Sequence, residues 1–445
     1  MKPLPHDKLR PSAVSMVKRL QNNGFTAYWA GGCVRDLHLG RIPKDYDIAT
    51  NATPDQTIAI FPNAVAVGKS FGVVKVPVNG EEFDIATFRQ DKNYADGRHP
   101  EAVTFSTPEE DASRRDFTIN ALFYDPVSDQ LHDYVGGIDD LKRGLIKCVG
   151  EPEKRFKEDY LRMLRAVRFA STLEFDLTAP TADVIRQHAP LITQISAERI
   201  QNELSRTLVE AKNSGDALVM LDDVHLLQNI LPEVTDMKGQ EQPPQFHPEG
   251  DVFQHTVIML NMMREKSLHL AYAVLLHDLG KPITATDDGD RIRFNCHAEK
   301  GAELAKKILI RLKLPNRDIE PIVYCIKNHM RFIDVQKMRK STLRRLAGSD
   351  TFDLEMELHW LDCASSHGKL DNYEFLLKFK EEIDSEPVLP ERWITGRDII
   401  EMGISEGPEI GKWRRKAYDA QLNELFENKK ELMNWLRNEV LSRIQ

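Results

Sequence analysis

AGGCVRDLHLGRIPKDYDIAT, residues 30–50, is the stretch from which this chain is best read. It follows the strand-like run TAYWA (26–30), so Gly31 and Gly32 sit where a strand hands over to a helix. Two glycines there let backbone approach a phosphate closely, and a helix amino terminus favours the anion. A plain tight turn would look the same, and Arg35 with Asp36 would pass for a surface pair. Asp45 and Asp47 say more. On a strand, residues i and i+2 face one side, about 7 Å apart. Two carboxylates on one face repel unless a cation lies between them. Hard oxygens suit Mg²⁺, and two such ions can clamp the attacking and leaving oxygens of a phosphoryl transfer. Asp84, in EFDIATF (82–88), is the candidate third carboxylate; a solvent-facing turn is the competing account of Asp45-x-Asp47.

Outward from this stretch, residues up to about 145 mix short β-rich runs with turns. VVKVPV (73–78), EFDIATF and AVTF (102–105) are bounded by Gly, Asn and Pro, while PSAVSMVKRL and Thr53–Phe61 have helical spacing. From about residue 150 long amphipathic helices take over. Residues 232–251 are polar and rich in Pro and Gly, which predicts a linker or the lead-in loop of a further domain. A second break, 384–396, sets off a last helical region. The expected fold class is α+β: a mixed-sheet head at 1–146, a helical neck at 147–235, a third domain at 236–385 and a helical tail at 386–445.

A chain of 445 residues is too long for one core. Its 41% hydrophobic and 29% charged residues are ordinary for a globular protein. The first twenty residues hold no apolar run of signal-peptide or membrane-span length, so a cytoplasmic protein with no membrane partner is expected. Cys33, Cys148, Cys296, Cys325 and Cys363 are scattered, against a disulfide framework or zinc ribbon. The net charge of −9 argues against nucleic acid, but a local basic face can bind RNA within an acidic chain. KMRKSTLRR (337–345) and KWRRK (412–416) are such faces, or simply solvated helix surface.

EDYLR, residues 158–162, can be read from chemistry. On one helix Asp159 and Arg162 share a face, as any surface salt bridge would. The pair also matches a base: the carboxylate accepts from an amino group and the guanidinium donates to a ring nitrogen. Cytosine and adenine present that pattern; uracil and guanine present the inverse. Rejection should be strong, because the wrong base leaves buried polar groups unpaired. Arg165 lies one turn further along.

GGCVRDLHLGRIPKDYDIAT resembles the signature of the polymerase-β-type nucleotidyltransferases of the tRNA nucleotidyltransferase and bacterial poly(A) polymerase family. The resemblance implies that Gly31, Gly32 and Arg35 hold a triphosphate, that Asp45 and Asp47 hold Mg²⁺, and that Asp84 stands where the family has Glu or Asp. FRQDKNYADGRHPEAVTF (88–105) is similar to the family's flexible loop. RRDFTINALFYD (114–125) resembles its second motif, placing Arg114, Asp116 and Asn120, with Arg115, near ribose and triphosphate. VGEPEKRFKEDYLRMLRAVRFA (149–170) and SAERIQNEL (196–204) resemble the neck motifs, and the resemblance makes Asp159, Arg162 and Arg165 the amino-acid template for the base.

Further along come His255, His277, Asp278, His297, His329 and Asp362, the H…HD…H…H…D order that resembles HD phosphohydrolase domains. His and Asp together suit a divalent transition metal or Mg²⁺. ITGRDIIEMGISEGPEIGKW (394–413) resembles the C-terminal segment of bacterial members. The expected activity is addition of the 3′-terminal CCA to tRNA from CTP and ATP. An A-adding enzyme or poly(A) polymerase is the near alternative; a metal phosphohydrolase with an RNA-binding head is the distant one.

Overall fold

The computed structural model describes residues 7–68, 72–94, 100–245, 247–289, 291–383 and 387–444. The chain divides into two compact units, Met1–Thr235 and Asp236–Gln445.

The first unit is built on a seven-stranded mixed sheet. Its strands are β1 (Ala27–Ala30), β2 (Ile48–Thr50), β3 (Val65–Gly68), β4 (Val73–Val78), β5 (Glu81–Thr87), then β8 (Leu122–Asp125) and β9 (Gln130–Asp133). They lie in the order β3-β4-β5-β2-β1-β8-β9. Between them in sequence, β6 (Arg89–Tyr94) and β7 (Pro100–Phe105) form a separate hairpin. Residues 95–99, within the expected flexible loop, lie outside the described residues. Within this sheet, among the described residues, only β2 and β5 pair in parallel, with Ile48 opposite Ile85. The residues just before this pair, Asp47 and Asp84, therefore project from one side. Alternation decides the rest: Trp29 is wholly buried, its ring 4.6 Å from that of Tyr46 and 5.6 Å from that of Tyr124.

Helices follow from local signals. Thr53 and Thr107 each open a helix with a complete capping box, to Gln56 and Glu110. The helix Leu161–Leu173 buries Leu161, Leu164, Val167 and Ala170, a three-residue stripe, beside the helix Ala197–Glu210.

Among the described residues, the second unit is helical apart from a hairpin, Ala285–Asp287 with Ile292–Phe294. Its helix Leu268–Leu276, LHLAYAVLL, is buried at every position from Leu270 to Leu276, so it is central rather than amphipathic. Gly280 follows four residues later. A Cβ there would stand 2.0 Å from the His297 carbonyl oxygen, so only glycine lets these two segments meet. Two more cores carry the C-terminal part, one around Phe332, Phe352 and Phe379, the other around Ile399, Trp413 and Leu436.

Candidate nucleotide and metal sites

A cavity of about 720 Å³ opens in the first unit. Gly31, Gly32, Arg35, Asp45, Asp47, Arg114, Asp116, Asn120, Asp159, Arg162 and Arg165 all line it. Asp84 is the one candidate of this unit outside the lining.

Gly31 ends β1 with φ +74°, a conformation that L side chains rarely adopt, and its N–H donates to the Leu122 carbonyl at 2.9 Å. Gly32 begins the helix Gly32–His38. On that helix Arg35 is nearly buried. Its Nη1 donates to Asn120 Oδ1 at 2.7 Å and its Nε to Asp36 Oδ1 at 2.8 Å. The network continues: Asn120 Nδ2 donates to Asp116 Oδ1 at 3.3 Å, and Arg165 donates to Asp116 Oδ2 from Nε (2.9 Å) and Nη2 (2.7 Å). Burial pushes the Asp116 carboxyl up, but Arg165 outweighs it and holds the group at about 2. Arg114 and Arg115 both pair with the buried Asp111.

The acidic pair departs from the sequence expectation in its setting. Strand β2 begins only at Ile48, so Asp45 and Asp47 stand in the extended segment before it. The reason is backbone pairing: the Asp47 carbonyl accepts from Ala30 at the last position of β1, after which the chain has no partner in the ladder. Extended geometry still alternates, with Tyr46 buried between two outward carboxylates. Crowding by surrounding protein raises the Asp47 carboxyl to about 6; Asp45 and Asp84 add to the rise and Arg115 opposes it. Anions held together at this cost are what a cation would relieve, so the donor set fits a divalent metal. Asp84 reaches Lys75 at 3.4 Å from the neighbouring strand.

Asp159 and Arg162 depart further from the sequence expectation. The helix Pro152–Glu158 ends at Asp159, whose φ of −159° is extended, and the next helix starts at Leu161. Asp159 and Arg162 thus do not share a helix face. Asp159 Oδ1 accepts the Leu161 N–H at 3.1 Å, a local turn between the two helices. Its Oδ2 pairs with Arg199 Nη2 at 2.6 Å, while Arg162 pairs with Glu158. Arg165, expected beside the base, lines the cavity and also donates to Asp116.

Arg199 was not singled out from the sequence, nor were Arg168, Glu203, Arg206 and Glu210. Arg168 Nε meets Glu203 Oε2 at 2.6 Å with both side chains buried. The signal was present: Arg199, Glu203, Arg206 and Glu210 recur at helical spacing along one face of Ala197–Glu210. Arg168, Arg199, Arg206 and Glu210 line the cavity, as do Arg41 and Lys44, giving ten basic against six acidic residues.

In the second unit the six HD candidates converge. His277, at the carboxyl end of the central helix, has Nε2 3.1 Å from Asp278 Oδ2. His297 and His329 bring Nε2 atoms to 3.2 Å of one another and to 3.7 and 3.9 Å of Asp278 Oδ1. His255 Nε2 lies 3.2 Å from Asp362 Oδ1. The His277 Nε2 is buried and makes no hydrogen bond among the described residues. A cluster of inward imidazole nitrogens and carboxylates with an orphaned lone pair fits a divalent metal.

Residues 27–147 match the family model described as the poly A polymerase head domain, 174–238 the probable RNA and SrmB-binding site of polymerase A, and 252–362 the HD domain. These matches make the chain similar to CCA-adding enzymes and bacterial poly(A) polymerases. It is 46% identical over 197 residues to the CCA-adding enzyme of Geobacillus stearothermophilus, covering 44% of this chain and 48% of that one. To poly(A) polymerase I of Salmonella typhimurium it is 40% identical over 238 residues, half of each chain. The chain thus spans about half the length of the curated relatives it matches. The crystal structure of the Bacillus stearothermophilus CCA-adding enzyme in complex with CTP superposes with a TM-score of 0.76 at 28% identity, over 100% of this chain and 99% of that one. The α+β fold, with a mixed-sheet head and helical remainder, is shared with that structure. Among the described residues no helix is long and apolar enough to cross a membrane.

Proposed function

We propose that the chain adds the 3′-terminal CCA to tRNA from CTP and ATP, without a nucleic-acid template, releasing pyrophosphate. One observation carries this reading: a single cavity collects the Asp45–Asp47 pair, the Gly31–Gly32 turn and the Asp159–Arg162 pair. Chemistry on a triphosphate and selection of a base both need that proximity.

In this reading the backbone at Gly31 and Gly32, with Arg35, Arg114 and Asn120, holds the triphosphate and ribose. Asp116 fixes Arg165 and orients Asn120. Asp45 and Asp47, aided by Asp84, hold Mg²⁺, which when bound offsets the charge developing on the attacking and leaving oxygens. Asp159 accepts from the amino group of cytosine or adenine and Arg162 donates to the adjacent ring nitrogen, once they exchange Arg199 and Glu158 for the base. The head then spans 1–146, the neck 147–235, the HD domain 236–385 and the tail 386–445. In the HD domain His255, His277, Asp278, His297, His329 and Asp362 hold a divalent transition metal. In the second unit Arg345, Arg392, Arg414, Arg415 and Tyr418 line a cavity of about 300 Å³, which suits the tRNA backbone. A cytoplasmic setting agrees with five free cysteines.

The 40% identity to a poly(A) polymerase I favours a second reading, addition of A residues alone. Incubation with tRNA lacking CCA, and with tRNA ending in CC, each with labelled CTP or ATP, separates them. CCA addition requires two C and one A on the first substrate and one A on the second. Long A tracts, or no C incorporation, would overturn it.

A further inference from the structure

Three of the four histidines of the HD cluster are held alike. His277 Nδ1 donates to the Val274 carbonyl at 2.9 Å, His297 Nδ1 to that of Phe294 at 2.8 Å, and His329 Nδ1 to that of Ile326 at 2.6 Å. Each acceptor lies three residues earlier, and each bond leaves the Nε2 lone pair facing inward. His255 cannot follow the pattern. The carbonyl three residues before it, that of Val252, accepts from Thr256 Oγ1 at 2.9 Å. The His255 Nδ1 instead faces a carboxylate, Glu249 Oε1, at 2.6 Å, while its Nε2 points to Asp362. Ser365 Oγ, at 3.5 Å, is a distant second.

Glu249 comes from the loop before the helix Val252–Met262, outside the spacing that defines the HD order. It is a built feature and not a surface acid. Its side chain is 7% exposed, Oε1 also accepts from His247 Nδ1 at 2.9 Å, and Oε2 is buried without a hydrogen bond among the described residues. A buried carboxylate shared by two imidazoles costs desolvation unless both contacts matter.

We propose that Glu249 is a positioning residue of the HD metal centre: it holds the His255 ring with Nδ1 protonated and the Nε2 lone pair turned to the metal, and His247 steadies the Glu249 carboxylate. The inference rests on the reading that this cluster binds a divalent transition metal. A carboxylate behind a metal-bound imidazole orients the ring and raises its basicity. The loop that the sequence suggested as a linker thereby becomes part of the site.

The test is titration of the metal-stripped full chain with Co²⁺ and Ni²⁺, following the cobalt absorption bands. Glu249→Ala is expected to weaken binding by about 10- to 100-fold and to shift the bands. Glu249→Gln keeps an acceptor for Nδ1 and is expected to restore most of the affinity, a rescue that a purely structural role would not give. Binding by Glu249→Ala within about twofold of wild type, with unchanged bands, overturns the inference while His277→Ala still abolishes binding. Should Glu249→Ala fail to fold, His247→Ala decides: a several-fold loss supports the inference, and wild-type affinity with unchanged bands overturns it. No binding by the wild-type chain overturns the metal reading and this inference together.

Discussion

Arg199 Nη2 lies 2.6 Å from Asp159 Oδ2, so the carboxylate proposed to read the incoming base is already held by a guanidinium from another helix. Reading a base then means partner exchange, not capture by a free group. Arg199→Ala is expected to let Asp159 turn and so to relax base choice. UTP and GTP incorporation should rise relative to CTP and ATP by about tenfold, the scale of one lost charged hydrogen bond. Single-turnover rates with all four nucleotides measure it; unchanged exclusion of UTP would make Arg199 a mere neck contact.

Asp159→Ala and Arg162→Ala should also loosen base choice, while leaving triphosphate binding closer to wild type. Nucleotide affinity by equilibrium binding, set against incorporation of the wrong bases, separates the two effects. If the variants bind triphosphate poorly yet remain selective, the pair does not read the base.

Asp45→Ala or Asp47→Ala should abolish addition of both nucleotides with the fold retained, a loss of about 10³-fold or more in single-turnover rate. The Asp47 carboxyl, raised to about 6, adds a pH dependence. As pH falls through about 6 it takes up a proton and the hold on a divalent cation weakens, so Mg²⁺ affinity should fall with it. The opposite slope applies to the metal-free head. Its folded state binds that proton more tightly than the unfolded chain does, so stability declines as pH rises from about 4 to about 6. Asp45→Asn removes a neighbouring negative charge and should move both transitions to lower pH, which Mg²⁺ titrations and thermal melts across that range can follow.

The buried Arg168–Glu203 pair joins the two neck helices at 2.6 Å. Glu203→Gln or Arg168→Met removes the closest partner of a buried charge, leaving Arg168 only Glu210 at 3.8 Å or Glu203 only Arg165 at 3.6 Å, and is expected to cost up to about 3–5 kcal/mol, whereas replacing both by apolar residues should recover much of it. A double-mutant cycle in urea gives the coupling; additive losses would mean the pair is not a unit.

Every HD residue lies in the second unit and every residue lining the nucleotide cavity in the first. His277→Ala with Asp278→Ala should therefore remove transition-metal binding and any phosphodiester hydrolysis that depends on it, and spare nucleotide addition. Elemental analysis and addition assays on one preparation decide this. Lost addition in a folded double mutant would contradict separability. In the metal-free chain, burial opposes protonation of His255, but Asp362 and Glu249 raise it to about 9. That stabilisation is full below about 6.5 and is lost as pH rises through about 9, a contribution on the order of 3 kcal/mol.

Much of this molecule is legible in one dimension because its signals are local. A strand ending in Gly31-Gly32, two carboxylates two residues apart, an apolar helix delivering His277 and Asp278, and the change from period two to period 3.6 near residue 150 each need only near neighbours along the chain. So the α+β class, the Gly31–Gly32 turn, the carboxylate pair and the six HD side chains could be named beforehand, but not Arg168, Arg199, Arg206 and Glu210 of the cavity. Side-chain partners could not. The backbone is extended at Asp159, where the sequence reads as one helix; Arg165 serves Asp116, 49 residues away, and Arg199 serves Asp159, 40 residues away. Glu249 reads as linker until the fold sets it against His255. A sequence specifies which groups are available, and periodicity says which face they occupy. Which buried charge is matched with which is settled only in three dimensions, where each desolvated group must find a counterpart and the nearest one in space is seldom the nearest in the chain.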